Sequence, residues 1–314
     1  MSFQPVNRIT EELLNVVSDW QKFPKGAAYN IRQDSQCAGR QSTENIEIRP
    51  KSGGSGLDII VKAGTKGESC YIPACITKND VDDLVYNDFY IGEDADVTIV
   101  AGCGVHTDGH GESRHNGIHR FFMEKNAKAL YLEKHYGTGD ASVAASRRII
   151  DPETQCELAE GAYLEMDTSQ LEGIATTNRK TSAKLEAGAR LVIKENILTE
   201  ADSTASTDFY VELNGDNCGV DLVSRSVAKD DSHQEYHSVI VGNAPSTGHS
   251  ECDAIIVGNG KVDALPELRA NNGDAMLIHE AAIGKIAGEQ IVKLQTLGLT
   301  EEEAEARIIE GFLS

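Results

Sequence analysis

The chain has 314 residues, which is enough for one large domain or two ordinary ones, each with a hydrophobic core. Fifty acidic residues against 29 basic ones give a formal net charge of −21, which disfavours binding to nucleic acids and to anionic membrane surfaces. No apolar run reaches the ~18 to 20 residues needed to cross a bilayer, and the N-terminus lacks a basic and apolar signal sequence. We therefore expect a cytoplasmic protein. Seven scattered cysteines without a C-x-x-C pair favour reduced thiols over a disulfide framework.

Residues 8–22 predict a short N-terminal helix. The apolar side chains of Leu13, Val17 and Trp20 recur at helical spacing, and Pro24 ends the pattern. From about residue 45 to residue 280 the period changes to two, in short β-type runs broken by Gly, Asn and Asp. This change predicts a helical or irregular segment over 1–44 and a β core over 45–280.

A repeated corner motif predicts how the strands are organised. An acidic residue or glycine followed by alanine and an alternating apolar run occurs, at unequal spacings, at Ala95, Ala127, Ala162 and Ala189. A degraded copy follows around Cys218. Variable spacing is typical of a β-solenoid, because each coil pairs only with its neighbours and insertions leave at the corners. The alternative is an ordinary β-sandwich whose strands share turn chemistry.

Residues 281–314 return to helical patterns and predict two short helices. Thr300 and Glu303 have the spacing of a capping box. The apolar positions of these helices are sufficient for one buried face. That face either shields the last coil or binds another chain.

One Cys and one His-Glu pair in the C-terminal part are candidate metal ligands. Cys252 is followed by an Asp-Ala pair at Asp253, and this pair recurs at Asp274, shortly before His279 and Glu280. Thiolate, imidazole and carboxylate form a mixed set that holds iron less firmly than four cysteines do. The alternatives are a buried, apolar Cys252 on a strand and a polar pair where a strand meets a helix.

The offset between the two Asp-Ala pairs predicts the geometry of this site if it corresponds to one coil. Cys252 would then stack near Gly273 at the ~4.8 Å strand spacing, and Glu280 would lie ~20 Å further along an extended strand. In such a geometry the candidate ligands of one chain would be too far apart to bind the same metal ion. A two-fold homodimer would bring two copies of the patch together at a subunit boundary.

A second group of candidate ligands lies in the β core. One short, glycine-containing stretch holds Cys103, His106, His110, His115 and His119, and imidazole with thiolate suits zinc or iron. The spacing matches no standard zinc finger. The alternative is a set of histidines that face solvent or satisfy backbone groups.

The segment 250–314 resembles the C-terminal third of the SufB/SufD proteins of the SUF iron-sulfur cluster assembly system. The similarity follows the order Cys-Asp, an apolar strand, a Pro-containing turn, Ala-x-x-x-His-Glu-Ala, Gly-Glu-Gln and a two-helix tail. It implies a right-handed parallel β-helix with helical ends that works as a homodimer. It also implies that a SufC-like ABC-type ATPase binds the C-terminal helices.

The same resemblance implies roles for individual residues. Cys252 corresponds to the essential cysteine of SufB, Glu280 to its nearby glutamate, and His279 to the histidine just before it. A transient iron-sulfur cluster, whose type stays open between [4Fe-4S] and other forms, would be built there. Its sulfur would come from a donor protein, and apo-proteins would receive it.

The main interpretation is therefore a non-enzymatic scaffold. The sequence has no G-x-x-x-x-G-K-[ST] motif, so ATP is expected to act only through the partner ATPase. The alternative from another class is a metal-dependent β-helix enzyme of the carbohydrate-active lyase or hydrolase type. Such enzymes favour grooves rich in aromatic residues, and the aromatic content here is 5%.

Overall fold

The computed structural model describes residues 7–108, 111–139 and 147–313. Its three α-helices are α1 (Arg8–Ser18), α2 (Gly288–Gln295) and α3 (Glu301–Phe312), and a 3-10 turn at Trp20–Lys22 follows the first helix. The first ten strands are β1 (Ala28–Gln33), β2 (Gln36–Gln41), β3 (Ile46–Pro50), β4 (Gly56–Val61), β5 (Lys66–Ile76), β6 (Asp82–Ile91), β7 (Asp96–Thr107), β8 (Glu112–Met123), β9 (Lys128–Gly139) and β10 (Arg147–Ile150). The remaining strands are β11 (Glu153–Leu158), β12 (Tyr163–Gln170), β13 (Thr176–Leu185), β14 (Arg190–Thr199), β15 (Thr204–Leu213), β16 (Gly219–Ala228), β17 (His233–Gly242), β18 (Thr247–Ile256), β19 (Lys261–Ala270) and β20 (Met276–Gly284).

The strands form two sheets that wind coil upon coil. The first sheet has the order β2-β1-β5-β7-β9-β12-β14-β16-β18-β20, and the second has β19-β17-β15-β13-β10-β8-β6-β4-β3, with β11 also pairing β13 and β8. In the C-terminal half the register is regular: Glu195 pairs with Ser224, Ser224 with Cys252, and Cys252 with Ala281. Register partners on adjacent coils there are 28 or 29 residues apart in the sequence. The structure is a β-solenoid of about eight turns, as the repeat predicted, and the sandwich alternative is wrong.

The predicted alanine repeat marks one corner of the solenoid. Each of these alanines is fully buried, and so is Cys218 at the degraded copy. The residue before each has a left-handed backbone, which Gly, Asn and Asp adopt most readily. These residues are Asp94, Asn126, Gly161, Gly188 and Asn217. The corner therefore explains both the small buried residue and the residue types that precede it.

The strands extend past both ends of the predicted β core. β1 begins at Ala28 and pairs in parallel with β5, whereas the sequence placed the first strand near residue 45. β20 continues to Gly284. Helix α1, as predicted, lies at the N-terminus and packs on the outside of the first sheet, where a Cβ added to Gly104 would lie 2.8 Å from the Cβ of Leu13. The glycine allows this close approach of helix and sheet.

The C-terminal helices are largely exposed. The predicted capping box is present, because Glu303 N donates to Thr300 Oγ1 and Thr300 N donates to Glu303 Oε2. In α2 none of the described residues is buried, and in α3 only Ala304 is. This exposure does not fit a cap that shields the last coil.

A network of buried ionic and polar groups runs through the solenoid interior. Arg179 on β13 donates to Glu133 Oε2 (2.8 Å), and its Nε lies 3.1 Å from Glu195 Oε1. Ser224 donates to the other oxygen of Glu195 (2.9 Å). Since buried charges are tolerated only when paired and hydrogen-bonded, Arg179 stabilises the two carboxylates that flank it.

His119 belongs to the same interior network as a neutral imidazole. Tyr131 donates its hydroxyl hydrogen to Glu133 Oε1 (2.7 Å), so the hydroxyl oxygen accepts from His119 Nδ1 (2.7 Å). The Nε2 atom then accepts from the amide nitrogen of Asn87 (3.3 Å). Burial lowers the pKa of His119 from 6.5 to about 4, because the charged imidazolium would be removed from water.

We expect Arg179→Ala to destabilise the protein by about 3–5 kcal/mol, because it leaves two buried carboxylates uncompensated. Urea unfolding followed by circular dichroism measures this free energy. Lys184→Ala is the matched control, since Lys184 lies on the same strand with an exposed side chain 3.9 Å from Glu212. Its cost should stay below about 1 kcal/mol. Equal costs for the two variants would contradict a stabilising role of the interior ion network.

His119 should make the stability depend on pH in mildly acidic solution. The folded state favours the neutral ring, so its stabilising effect is complete above the unfolded pKa of 6.5 and is lost as the pH falls towards about 4. The loss should reach up to about 3 kcal/mol. His119→Gln retains polar groups but cannot titrate, so the unfolding free energy of this variant should change less between pH 7 and pH 4.5. Parallel pH profiles for the variant and the wild type would contradict this assignment.

Candidate functional site

Cys252 lies in the interior near the C-terminal end of the solenoid. Its side chain points inward from β18, is 1% exposed, and stacks between Ser224 and Ala281 of the neighbouring coils. Burial raises the pKa of the Cys252 thiol to about 12, and the negative charge of Glu195 acts in the same direction. The thiol is therefore protonated at neutral pH, and a metal or an opening of this end is needed to produce the thiolate.

His279 lies on the same inner face, one coil later. It pairs with Ser250 in the register of β18 and β20, which makes it a diagonal neighbour of Cys252. Its Nδ1 atom is buried and has no hydrogen-bond partner within the part of the chain that the structure describes. Thiol and imidazole thus share the interior of the last two coils.

Glu280 points the other way, because successive side chains of a strand lie on opposite faces. Its side chain is 67% exposed on the outer surface, where Glu280 pairs with Glu251 in the register. Within one chain, Cys252 and His279 are therefore separated from Glu280 by the sheet itself. The three predicted ligands do not converge on one point in the single chain.

The short coil predicted from the repeated Asp-Ala pair is wrong. Cys252 stacks on Ala281 rather than near Gly273, because one coil contains two strands and two corners. Asp253 lies inside β18, whereas Asp274 precedes β20 at a corner. The predicted offset of Glu280 by ~20 Å along the strand from the level of Cys252 is wrong as well, since Glu280 directly precedes Ala281, the register partner of Cys252.

The outer surface brings Glu280 together with two residues that the sequence analysis missed. His249 and Glu251 of β18 and Glu280 of β20 each place a potential ligand atom within 4.8 Å of the other two. The Nε2 atom of His249 lies 3.6 Å from Glu280 Oε2, and its Nδ1 atom lies 2.7 Å from Asp221 Oδ1. The hydrogen bond to Asp221, together with Glu280, raises the pKa of His249.

A sequence signal for this cluster exists, but it depends on the coil length. His249 and Glu251 are separated by a single residue and therefore share one face of a strand. Glu280 is the register partner of Glu251 one coil later, and Asp221 is that of His249 one coil earlier. The correct coil length would have aligned all four residues.

The histidine-rich segment is only partly described. Cys103, His115 and His119 line an interior cavity of about 60 Å³, and His115 Nδ1 lies 3.1 Å from Asp83 Oδ2. His106 lies on β7 with the opposite parity to Cys103, and His110 falls outside the described residues. Among the residues described, the only group of three or more potential metal ligands is the outer one around His249. The second-rank metal site thus stays a prediction.

None of the described helices is both long and apolar enough to cross a lipid bilayer.

Comparison with known proteins identifies the family. Residues 84–312 match the family model described as SUF system FeS cluster assembly, SufBD core domain. An iron-sulfur cluster assembly SufBD family protein of Archaeoglobus fulgidus is 30% identical over 245 residues, which cover 77% of this chain and 64% of the relative. A relative of Methanocaldococcus jannaschii with the same family name is 28% identical over 288 residues, covering 90% of this chain and 89% of the relative.

A third relative, from Methanothermobacter thermautotrophicus, is 28% identical over 279 residues, which cover 87% of this chain and 66% of the relative. The chain thus spans just under two thirds of the length of two of these relatives and most of the length of the other. The matched residues include β18, β20 and both C-terminal helices, which is the region that carried the sequence resemblance. The chain belongs to the SufBD family of iron-sulfur cluster assembly proteins.

Proposed function

We propose that this protein is a cytoplasmic, non-enzymatic scaffold on which a nascent iron-sulfur cluster is built and then passed to apo-proteins. The supporting observation, beyond family membership, is the shared location of Cys252 and His279 on the inner face of the last two coils. A soft thiolate and an imidazole are ligands that iron-sulfur clusters accept. The alternative of a β-helix lyase or hydrolase is not favoured by this family.

The cluster site is proposed to lie between two copies of the chain. β19 and β20 are the last strands of their sheets, and their free edges can pair with another chain. Large apolar side chains are exposed there, with Leu265 68%, Met276 65% and Ile278 53% accessible. A second copy on this edge would cover them and bring two Cys252–His279 pairs close to one boundary. Glu280 also lies on β20, and at the boundary it would supply a further ligand to the cluster from either subunit.

A SufC-like ABC-type ATPase is the proposed partner of the C-terminal helices. α2 and the turn after it expose Val292 and Leu297, which a partner surface would cover. ATP would be bound and hydrolysed only in that partner. Its movement would shear the two scaffold subunits and open the end of the solenoid, which removes the burial that keeps the Cys252 thiol protonated. Sulfide from a donor protein would enter in this open state.

Anaerobic co-expression with the ATPase tests the cluster site. The wild-type complex should be brown and contain iron and acid-labile sulfide, and Cys252→Ser should lose most of both because the soft ligand is gone. Cys156→Ser is the matched control, because Cys156 is similarly buried on the inner face but lies several coils earlier, on β11. The proposal fails if Cys252→Ser retains the iron and sulfide content of the control.

The proposed dimer contact has its own test. Ile278→Lys should convert a dimer into a monomer in light scattering after size exclusion, since it places a charge in the apolar edge that two copies would share. Tyr210→Lys is the control, because Tyr210 is an exposed aromatic residue on β15, which is separated from the edge strand β19 by β17. A wild-type protein that is monomeric with and without the ATPase would contradict the shared boundary.

A further inference from the structure

We propose that His249, Glu251 and Glu280 form a mononuclear site for a divalent first-row transition-metal ion on the outer surface of the last coils, with Asp221 as a positioning residue. The binding of an ion is inferred from the side-chain geometry alone. Only the identity of the natural ion, ferrous iron, rests on the proposed function. The site is distinct from the Cys252 interior, because it lies on the opposite face of the sheet.

The three ligand atoms are already gathered in the single chain. All lie within 4.8 Å of one another, so an ion at ordinary coordination distances of about 2.0–2.2 Å reaches each of them after small side-chain rotations. Two of the three residues lie on one face of β18, and the third is the direct register partner of Glu251 on β20. The parallel ladder therefore fixes their spacing.

Asp221 prepares His249 for metal binding. An ionised carboxylate only accepts hydrogen bonds, so the 2.7 Å contact requires that His249 Nδ1 carries the hydrogen. In the neutral imidazole the Nε2 lone pair is then free, and this atom faces Glu280. Histidines that ligate metals commonly donate their other ring hydrogen to a carboxylate in this way.

The electrostatics of the cluster favour a cation. Glu251 and Glu280 are directly opposite each other on adjacent strands, and like charges in that position destabilise a sheet. Asp221 adds a third carboxylate beside His249. Lys194 lies near enough to Asp221 to interact with its charge, but no lysine or arginine forms an ion pair with Glu251 or Glu280 among the described residues. A bound divalent ion would compensate this local excess of negative charge.

The ligand chemistry restricts the class of ion. One imidazole nitrogen and two carboxylates suit Fe²⁺, Mn²⁺, Co²⁺ or Zn²⁺, whereas Mg²⁺ and Ca²⁺ prefer oxygen ligands alone. His249 and Asp221 also line a surface cavity of about 340 Å³ beside Met276 and Ile278. In the single chain this cavity leaves His249 accessible to hydrated ions, and water would complete the coordination sphere.

Co²⁺ titration of the full-length chain tests the site. The chain is stripped with a chelator, and Co²⁺ is followed anaerobically by visible absorption and by isothermal titration calorimetry. We expect one ion per chain, at least about 100-fold weaker binding in His249→Ala and in Glu280→Gln, and about 10–100-fold weaker binding in Asp221→Asn. Millimolar Mg²⁺ should not displace the ion.

Two controls separate this site from other sources of binding. His237 contacts Asp208 of the preceding coil through Nδ1 at 3.0 Å, as His249 contacts Asp221, but it has no group of further ligands among the described residues. His237→Ala should therefore bind Co²⁺ like the wild type. Cys252→Ser should also bind Co²⁺ normally, although it is expected to lose the cluster in the ATPase complex.

The outcomes distinguish this site from the proposed scaffold function. Absence of Co²⁺ binding in the wild type, or unchanged binding in His249→Ala, overturns the metal site without affecting the cluster proposal. Loss of Co²⁺ in Cys252→Ser also overturns it, because the ion would then bind at the thiol. Failure of the cluster test leaves Co²⁺ binding by the chain intact.

Discussion

The in-register parallel stacking of successive coils is the constraint on which the rest of this molecule depends. Within the parallel strands that the structure describes, the backbone N–H and C=O groups of one coil bond to the next, and a slip of one residue would turn the inward side chains outward. The corner supports this register, since a left-handed residue followed by a buried small residue recurs at five successive turns, from Ala95 to Cys218. As a result, side chains one coil apart in sequence form continuous rows, either inside or outside.

The inner rows are not uniformly apolar. Arg179, Glu133 and Glu195 form an ionic core in the middle of the solenoid, and the polar row continues through Ser224 to the level of Cys252. Cys252 therefore lies at the end of a polar interior and within the influence of a buried carboxylate. Burial and the negative charge of Glu195 raise the pKa of the Cys252 thiol, which disfavours the thiolate while this end of the solenoid is closed. The same negative charge attracts any cation that reaches the thiol.

The sequence was sufficient to predict the solenoid, the terminal helices and the corner repeat, because these depend on local patterns. The site geometry was not predictable in the same way, since it depends on the coil length. Asp274 and Ala275 continue the corner repeat that includes Ala95, whereas Asp253 and Ala254 lie within a strand. Their similarity is local and does not reflect stacking. Treating them as equivalent gave a coil that was too short, and this error concealed the alignment of Glu251 with Glu280.

The alternation of β18 and β20 divides ligands by chemistry as well as by position. The inner face carries thiol and imidazole, and the outer face carries imidazole and carboxylates, which retain iron less firmly than thiolates do. Because β20 is the last strand of its sheet, both faces meet at an edge where another chain can pack. In the proposed scaffold, an ion held outside would have to travel only around this edge to reach the thiols. For a site deeper in the solenoid, the same transfer would require the hydrogen bonds between adjacent strands to break. The last coil is therefore the place where an ion can pass from carboxylate and imidazole ligands to thiol ligands without unfolding of the sheet.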